Sequence, residues 1–292
     1  MATPGPLPDL AIGPGCTPGI PVGLDALVVR LTAPNPSMMT GPGTNTYVVG
    51  TDDAVVVVDP GPEDRGHLDS ILAVVADRAT VAVCVTHHHR DHALGARATA
   101  TALRAPVVAN GHAALTADVT AREGHALDVD GVRVVAWHTP GHASDHLCFL
   151  VEPLGWLLTG DHLMEGSTVV IRPPDGDLVD YLDAVARVRD AAGLVRLAPG
   201  HGRLLSDPAR CAQGVLDHRA QRASVVERAL RTLETATAAE VRAVAYADVG
   251  PERDEVATAS CWAHLLALVE EGRATSDAPR DDDAAAFTAT PR

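Results

Sequence analysis

Residues 86–92 read Thr-His-His-His-Arg-Asp-His, and inside them His87, His89, Asp91 and His92 stand at HxHxDH spacing. Imidazoles and a carboxylate packed this densely make a poor core and an unusual surface. Held together, they need a positive charge to organise around, so the first expectation is a metal site. The preceding stretch, Val81-Ala82-Val83-Cys84-Val85, is short, apolar and β-branched. It predicts a buried strand that delivers the histidines at its C-terminal end. In a locally extended loop His87 and His89 point to one side and His88 to the other, which leaves His88 out of the ligand set. Asp91 and His92 run into Ala93–Ala98, which predicts a helix with Asp91 near its N-terminus.

Further along, His142 closes His138-Thr139-Pro140-Gly141-His142, Asp161 follows Thr159-Gly160, and His201 stands in Pro199-Gly200-His201-Gly202. Each comes after an apolar run (132–137, 147–158 and 194–197) and is flanked by Gly or Pro, the pattern of loops at strand ends. Together with the first cluster they complete a set of seven candidate ligands.

This ordered set, HxHxDH then His, Asp and His, resembles the metallo-β-lactamase superfamily over residues 25–205. The resemblance implies an α/β fold, the αββα sandwich, with the site at one edge between two sheets. It also implies that His87, His89 and His142 hold one metal, that Asp91, His92 and His201 hold a second, and that Asp161 bridges them. Asp59, in Val58-Asp59-Pro60-Gly61, matches the family's buried strand-end Asp, which orients the ligand loop from behind. Asn35-Pro36-Ser37, Gly43-Thr44-Asn45-Thr46-Tyr47 and Pro174-Asp175-Gly176-Asp177, with a helical C-terminal segment, are similar to the lactamase-β-like-2 and glyoxalase II-like branch. That branch includes endoribonucleases. Asp161 stands where class B1 β-lactamases use a Cys ligand, so the family name is not taken as the activity.

The chemistry implied is hydrolysis by a hydroxide bridging two divalent metal ions. Zinc suits five imidazoles with carboxylates, and iron or manganese is the alternative. Asp91, both ligand and carboxylate, is the candidate catalytic group. His146 and His162, beside ligand motifs, either line the substrate pocket or serve as structural hydrogen-bonders. Tyr181 begins a helix that the family places near the pocket mouth, which makes it a candidate substrate contact.

Charge narrows the partners. The formal net charge is −15, all 23 basic residues are Arg, and only three Trp, three Tyr and two Phe are present. A chain without a basic field or stacking platforms is a poor nucleic-acid binder. A thioester or related small acyl molecule is therefore the first expected substrate, and single-stranded RNA, cleaved by an endoribonuclease or phosphodiesterase, the alternative. A non-enzymatic regulator is disfavoured, because a binding module needs no such ligand set. No apolar run approaches the ~18–20 residues of a membrane span. Residues 1–10 carry neither a basic region nor an apolar stretch, and the five cysteines are scattered without CxxC spacing. Cytoplasm is expected, with the cysteines as free thiols.

Four parts are expected: a loose Pro/Gly-rich extension (1–24), the catalytic domain (25–205), a helical winged-helix-like domain (206–275) and a disordered tail (276–292). From Pro208 to Arg273 eight Arg face ten Asp and Glu, so duplex DNA binding is not expected. A packing role over the active site, or at a homodimer interface, is expected instead.

Overall fold

A computed structural model describes residues 4–291 except Ala113 and Asp248; the first three positions of the expected extension and Arg292 of the expected tail lie outside it. Two seven-stranded sheets stack face to face. The first runs, from edge to edge, Val22–Asp25, Val28–Thr32, Asn45–Gly50, Ala54–Val58, Ala79–Cys84, Val107–Ala109 and Val119–Thr120. The second runs Ala11–Ile12, Leu204–Ser206, Arg196–Pro199, Trp156–Gly160, Leu147–Val151, Val132–His138 and Ala126–Val129.

Period-two alternation sorts the strand residues into layers. In Ala54–Val58, Val56 and Val58 point into the core between the sheets with Phe149, Trp156 and Leu158, whereas Val55 and Val57 face outward. That outer face is covered by α1 (Arg65–Val75) and, after the single turn of α2 (Arg90–Ala93), by α3 (Ala96–Leu103). The opposite outer face takes α4 (Leu178–Asp190) and the long α5 (Pro208–Leu233). The architecture is thus an αββα sandwich, buried on both faces of both sheets.

The helical part continues from α5 through Thr235–Thr237, α6 (Ala238–Ala245) and α7 (Asp254–Glu270) to the strands Ala274–Ser276 and Ala286–Ala289. A reciprocal capping box at Thr237 and Glu240 starts α6. The three short strands form one sheet, with Ala286–Ala289 in the middle. The 276–292 tail is therefore not disordered over its described residues: Phe287 is fully buried against α5 and α7 side chains, and pairing on both edges fixes its strand. The 1–24 segment is likewise no loose extension. Ala11–Ile12 pairs with Leu204–Ser206 and Val22 pairs with Arg30, so the segment completes an edge of each sheet. Among the described residues no helix is long and apolar enough to cross a membrane, and all five cysteines are unpaired.

Candidate metal centre

Strands of both sheets hand over to the motif residues at one edge. Val58 leads into Asp59, Cys84 into the 86–92 loop, Gly160 into Asp161 and Pro199 into His201. Hydrogen bonds between the sheets pin this edge: Leu147 N donates to Thr86 O and Asn45 N to Gly200 O, both at 2.7 Å. Asn45 Nδ2 also donates to Pro199 O and Gly202 O, and the Tyr47 hydroxyl donates to Pro199 O at 2.8 Å. The Gly43–Tyr47 stretch thereby clamps the loop of His201, whose Nδ1 donates to Gly43 O at 3.2 Å. A Cβ at Gly200 would lie 2.6 Å from His92 Cε1 and 2.9 Å from Asp161 Oδ1, so no side chain fits there.

Seven side chains converge. His89 Nδ1 lies 2.9 Å from His87 Nε2 and 3.0 Å from His142 Nε2. His92 Nε2 and His201 Nε2 are each 3.4 Å from Asp161 Oδ1, and 3.5 and 3.3 Å from Asp91 Oδ2. The other oxygen of Asp161, Oδ2, is 3.6 Å from His142 Nε2. One carboxylate thus stands between two groups of ligand-type atoms.

Asp59 supports the loop from beneath. Its Oδ1 accepts from Thr86 N at 2.7 Å, and its Oδ2 accepts from the Thr86 hydroxyl and from His92 Nδ1, both at 2.8 Å. The Nδ1 of His92 is spent on Asp59, so Nε2 is the atom presented to the site. His88 turns away, bonding Asp145 Oδ1 at 2.8 Å and stacking on His112 with ring centroids 3.8 Å apart.

The electrostatics divide the cluster. Burial, reinforced by His92 and His142, drives His87 well below the usual imidazole range; burial and His142 lower His89 to about 4. These rings are held neutral, so each keeps one nitrogen free of a proton. Burial also opposes a charge on His201, but Asp161 and Asp91 overcome it and raise the group to about 9. In the same way Asp161 and Asp59 hold His92 well above its ordinary value. Burial works against ionisation of Asp91 too, yet the hydrogen bond from His201 brings it down to about 2.

Divalent cations fit this arrangement. Tetrahedral ligand atoms ~2.0–2.1 Å from zinc lie about 3.3 Å apart, close to the separations found here. His92 Nε2 and Asp161 Oδ1 are also fully buried without a hydrogen-bond partner, which is costly unless a ligand satisfies them.

The centre forms the floor of a cavity of about 870 Å³. Three residues expected around a pocket are elsewhere: His146, His162 and Tyr181 are fully buried and none lines this cavity. His146 bridges Thr139 Oγ1 at 2.9 Å and the Asp161 backbone N–H at 3.2 Å, with its ring turned under the site. The Tyr181 hydroxyl donates to His162 O at 2.9 Å on the far side of the ligand loops. The walls come instead from Met38, Met39, Met164, Val170 and, from the helical part, Arg253 and Val256. Exposed methionines side by side, 59% and 53% open, were the sequence signal for this rim.

Residues 39–117 match the family model described as the metallo-beta-lactamase superfamily. An atrochrysone carboxyl ACP thioesterase of Aspergillus chevalieri is 34% identical over 211 residues, 70% of this chain and 66% of its own length, so the chain spans just under two thirds of that relative. A lactamase-like protein of Penicillium aethiopicum is 33% identical over 216 residues, 72% of this chain and 68% of its own length. A beta-lactamase-like protein 2 homolog of Drosophila melanogaster reaches further, 27% identical over 284 residues, covering 89% of this chain and 94% of the relative. In three dimensions, a metallo-beta-lactamase family protein of Thermus thermophilus superposes with a TM-score of 0.75 at 23% identity, over 92% of this chain and 100% of the other, a likeness of fold. The matched segment holds the first four of the seven candidate ligands, the other three meet them at the sheet edge, and the Penicillium relative is matched over more than two thirds of its length: the chain belongs to the metallo-β-lactamase superfamily.

Proposed function

We propose that the protein is a metal-dependent hydrolase with two divalent ions, zinc first, acting on an acyl thioester. The observation that carries this is the Asp161 carboxylate, set between two groups of ligand-type atoms on the floor of an open cavity. His87, His89 and His142 would hold one ion and Asp91, His92 and His201 the other, with Asp161 facing both groups. When bound, such ions would supply Lewis-acid polarisation of the scissile carbonyl and a water acidified toward neutrality. Asp91 is the ligand carboxylate most open to the cavity, with 30% of its side chain exposed, and it orients the attacking water by accepting its hydrogen bond. Asp59 and Thr86 keep the ligand loop in register, and the methionine and valine wall takes the acyl group and excludes water from it.

The thioester class rests on the thioesterase relative and on what the cavity lacks. Single-stranded RNA needs faces on which bases stack. Seven of the eight aromatic side chains are buried, and the other, Trp137, lies under the Arg187 guanidinium, so none lines the cavity. The helical part, ordered helix, strand, two helices and two strands, is read as winged-helix-like. Its acidic balance fits a wall for the pocket, with Arg253 and Val256 on it, and not a duplex DNA reader.

A panel of acyl thioesters and a single-stranded RNA, assayed with metal-loaded and metal-free protein, tests the reading. Metal-dependent thioester turnover with a higher kcat/KM than RNA cleavage is expected. RNA cut in a metal-dependent way, with every thioester at background, reverses the substrate assignment.

A further inference from the structure

The loop between Asp161 and α4 places Val169 and Val170 on the cavity wall, and their carbonyls point at two different partners. Val170 O accepts a hydrogen bond from His142 Nδ1 at 2.7 Å. A carbonyl can only accept, so the proton sits on Nδ1 and Nε2 is left to face His89 and Asp161. The neighbouring carbonyl, Val169 O, accepts from Arg219 Nη2, which reaches across from α5.

Arg219 is an unusual residue to find there. It is 3% exposed, its Nε has no hydrogen-bond partner, and among the described residues it forms no ion pair. Its guanidinium lies over the Tyr181 ring, 5.6 Å from the centroid. The Tyr181 backbone in turn packs so closely on the His142 loop that a Cβ at Gly141 would come within 2.4 Å of it. An uncompensated buried cation is expensive, and an apolar side chain of similar length would pack at lower cost. What the guanidinium supplies that an apolar chain cannot is a charged donor fixed on Val169 O.

We infer that Arg219 is a positioning residue for the metal centre: from the helical part it holds the Val169–Val170 carbonyls in place and so fixes the ring of His142. The inference rests on the reading of His142 as a metal ligand, and it makes α5 a determinant of metal affinity at one site although it contributes no ligand. Arg222, one turn on, is the natural control. It is similarly buried but donates to Ala245 O, away from the loop, and stacks on Tyr246 at 4.1 Å.

The test is a Zn2+ titration of metal-free protein against a competing chromophoric chelator, with a Co2+ titration followed by visible absorption and the thermal midpoint of each metal-free protein. For Arg219→Met the expected result is an affinity about tenfold or more weaker for one ion and little changed for the other. The Co2+ spectrum of that site changes with it, while the metal-free midpoint stays equal to or above wild type. Arg219→Lys, which keeps a charged donor, recovers part of the loss, and Arg222→Met binds both ions like wild type. Wild-type affinity for both ions in folded Arg219→Met overturns the inference, as does equal weakening of both ions with a matching fall in the metal-free midpoint. Should Arg219→Met not fold, Arg219→Gln is judged by the same outcomes. A wild-type protein that takes up no Zn2+ at all brings down the parent reading, and this one with it.

Discussion

Two clusters of buried ionisable side chains touch neighbouring carbonyls of one loop, and they differ in what faces them. In the metal centre five imidazoles meet Asp91 and Asp161, with Asp59 behind. In the helical part Arg219 lies over the ring of Tyr181 and Arg222 over that of Tyr246, with His218 and His264 beside them and, among the described residues, no carboxylate acting on His264 or Arg219. Burial lowers His87 and His89 just as it lowers His264, and the response departs only where carboxylates face an imidazole. The acids lift His92 and His201, whereas burial and the two guanidiniums push His264 well below its ordinary range. Burial alone therefore does not make a metal site. The carboxylates turn the first cluster into a place for added cations; the second already carries its cations as fixed parts of the fold.

The largest expected effect comes from making the first cluster resemble the second. Asp161→Ala removes the carboxylate that faces both groups of nitrogens, so metal content falls from about two ions per chain toward none, and hydrolysis falls by about 100-fold or more. Elemental analysis beside the thioester assay measures both. Two tightly held ions in this variant would show that Asp161 does not link the groups. Asp59→Asn is milder, because the amide keeps the volume and one acceptor but loses the charge under His92. A weakening of metal binding by about 10- to 100-fold is expected, with the fold intact by circular dichroism. In the second cluster Arg222→Met should change stability by no more than about 1 kcal/mol in denaturant unfolding, since the lost hydrogen bond is offset by removal of a buried charge. A loss several times larger would mean that the fixed cations hold that region together.

The convergence of the seven side chains was legible because they stand in the loops, or in the single turn of α2, that follow strands, and strand ends are written locally in apolar runs closed by Gly and Pro. The αββα layering was implied by the resemblance to the family, and the two sheets with helices on both outer faces agree with it. The pocket was not legible, because neighbours of a ligand in sequence need not share its side. His162 follows Asp161 directly, but the chain leaving Gly160 turns, and consecutive side chains go to opposite faces. His146 is four residues past His142, where the loop has already bent back beneath the site. The tail misled for a different reason. Asp281-Asp282-Asp283 suggests solvent, while the strand that follows is short and mostly Ala and Thr, with only Phe287 to anchor it; pairing partners 53 residues away at Thr235–Thr288 leave no periodic mark. Arg219 was invisible too, since nothing in its own helix tells which carbonyl it will reach.

The smallest expected effect is the pH response of a buried imidazole that no described carboxylate faces. Among the described residues, His264 on α7 is fully buried with both ring nitrogens unpartnered, and the charged or titratable groups that face it are Arg219, Arg222 and His218 of α5. Its pKa is depressed in the fold, so below the ordinary value of 6.5 the unfolded chain takes up a proton there that the folded chain refuses. Its contribution to stability is thus complete above that pH and declines as the solution becomes more acid. Other buried histidines add to the same decline, among them His67, which burial lowers to about 4, so the wild-type slope alone assigns nothing. The informative quantity is the difference between wild type and His264→Leu, both metal-free, in urea midpoint at neutral pH and near pH 5. Leucine does not titrate and suits the apolar face, so the variant should lose less stability on acidification than wild type does. Equal losses in the two proteins would mean that His264 accepts its proton in the folded state, and that the second cluster holds an anionic partner after all.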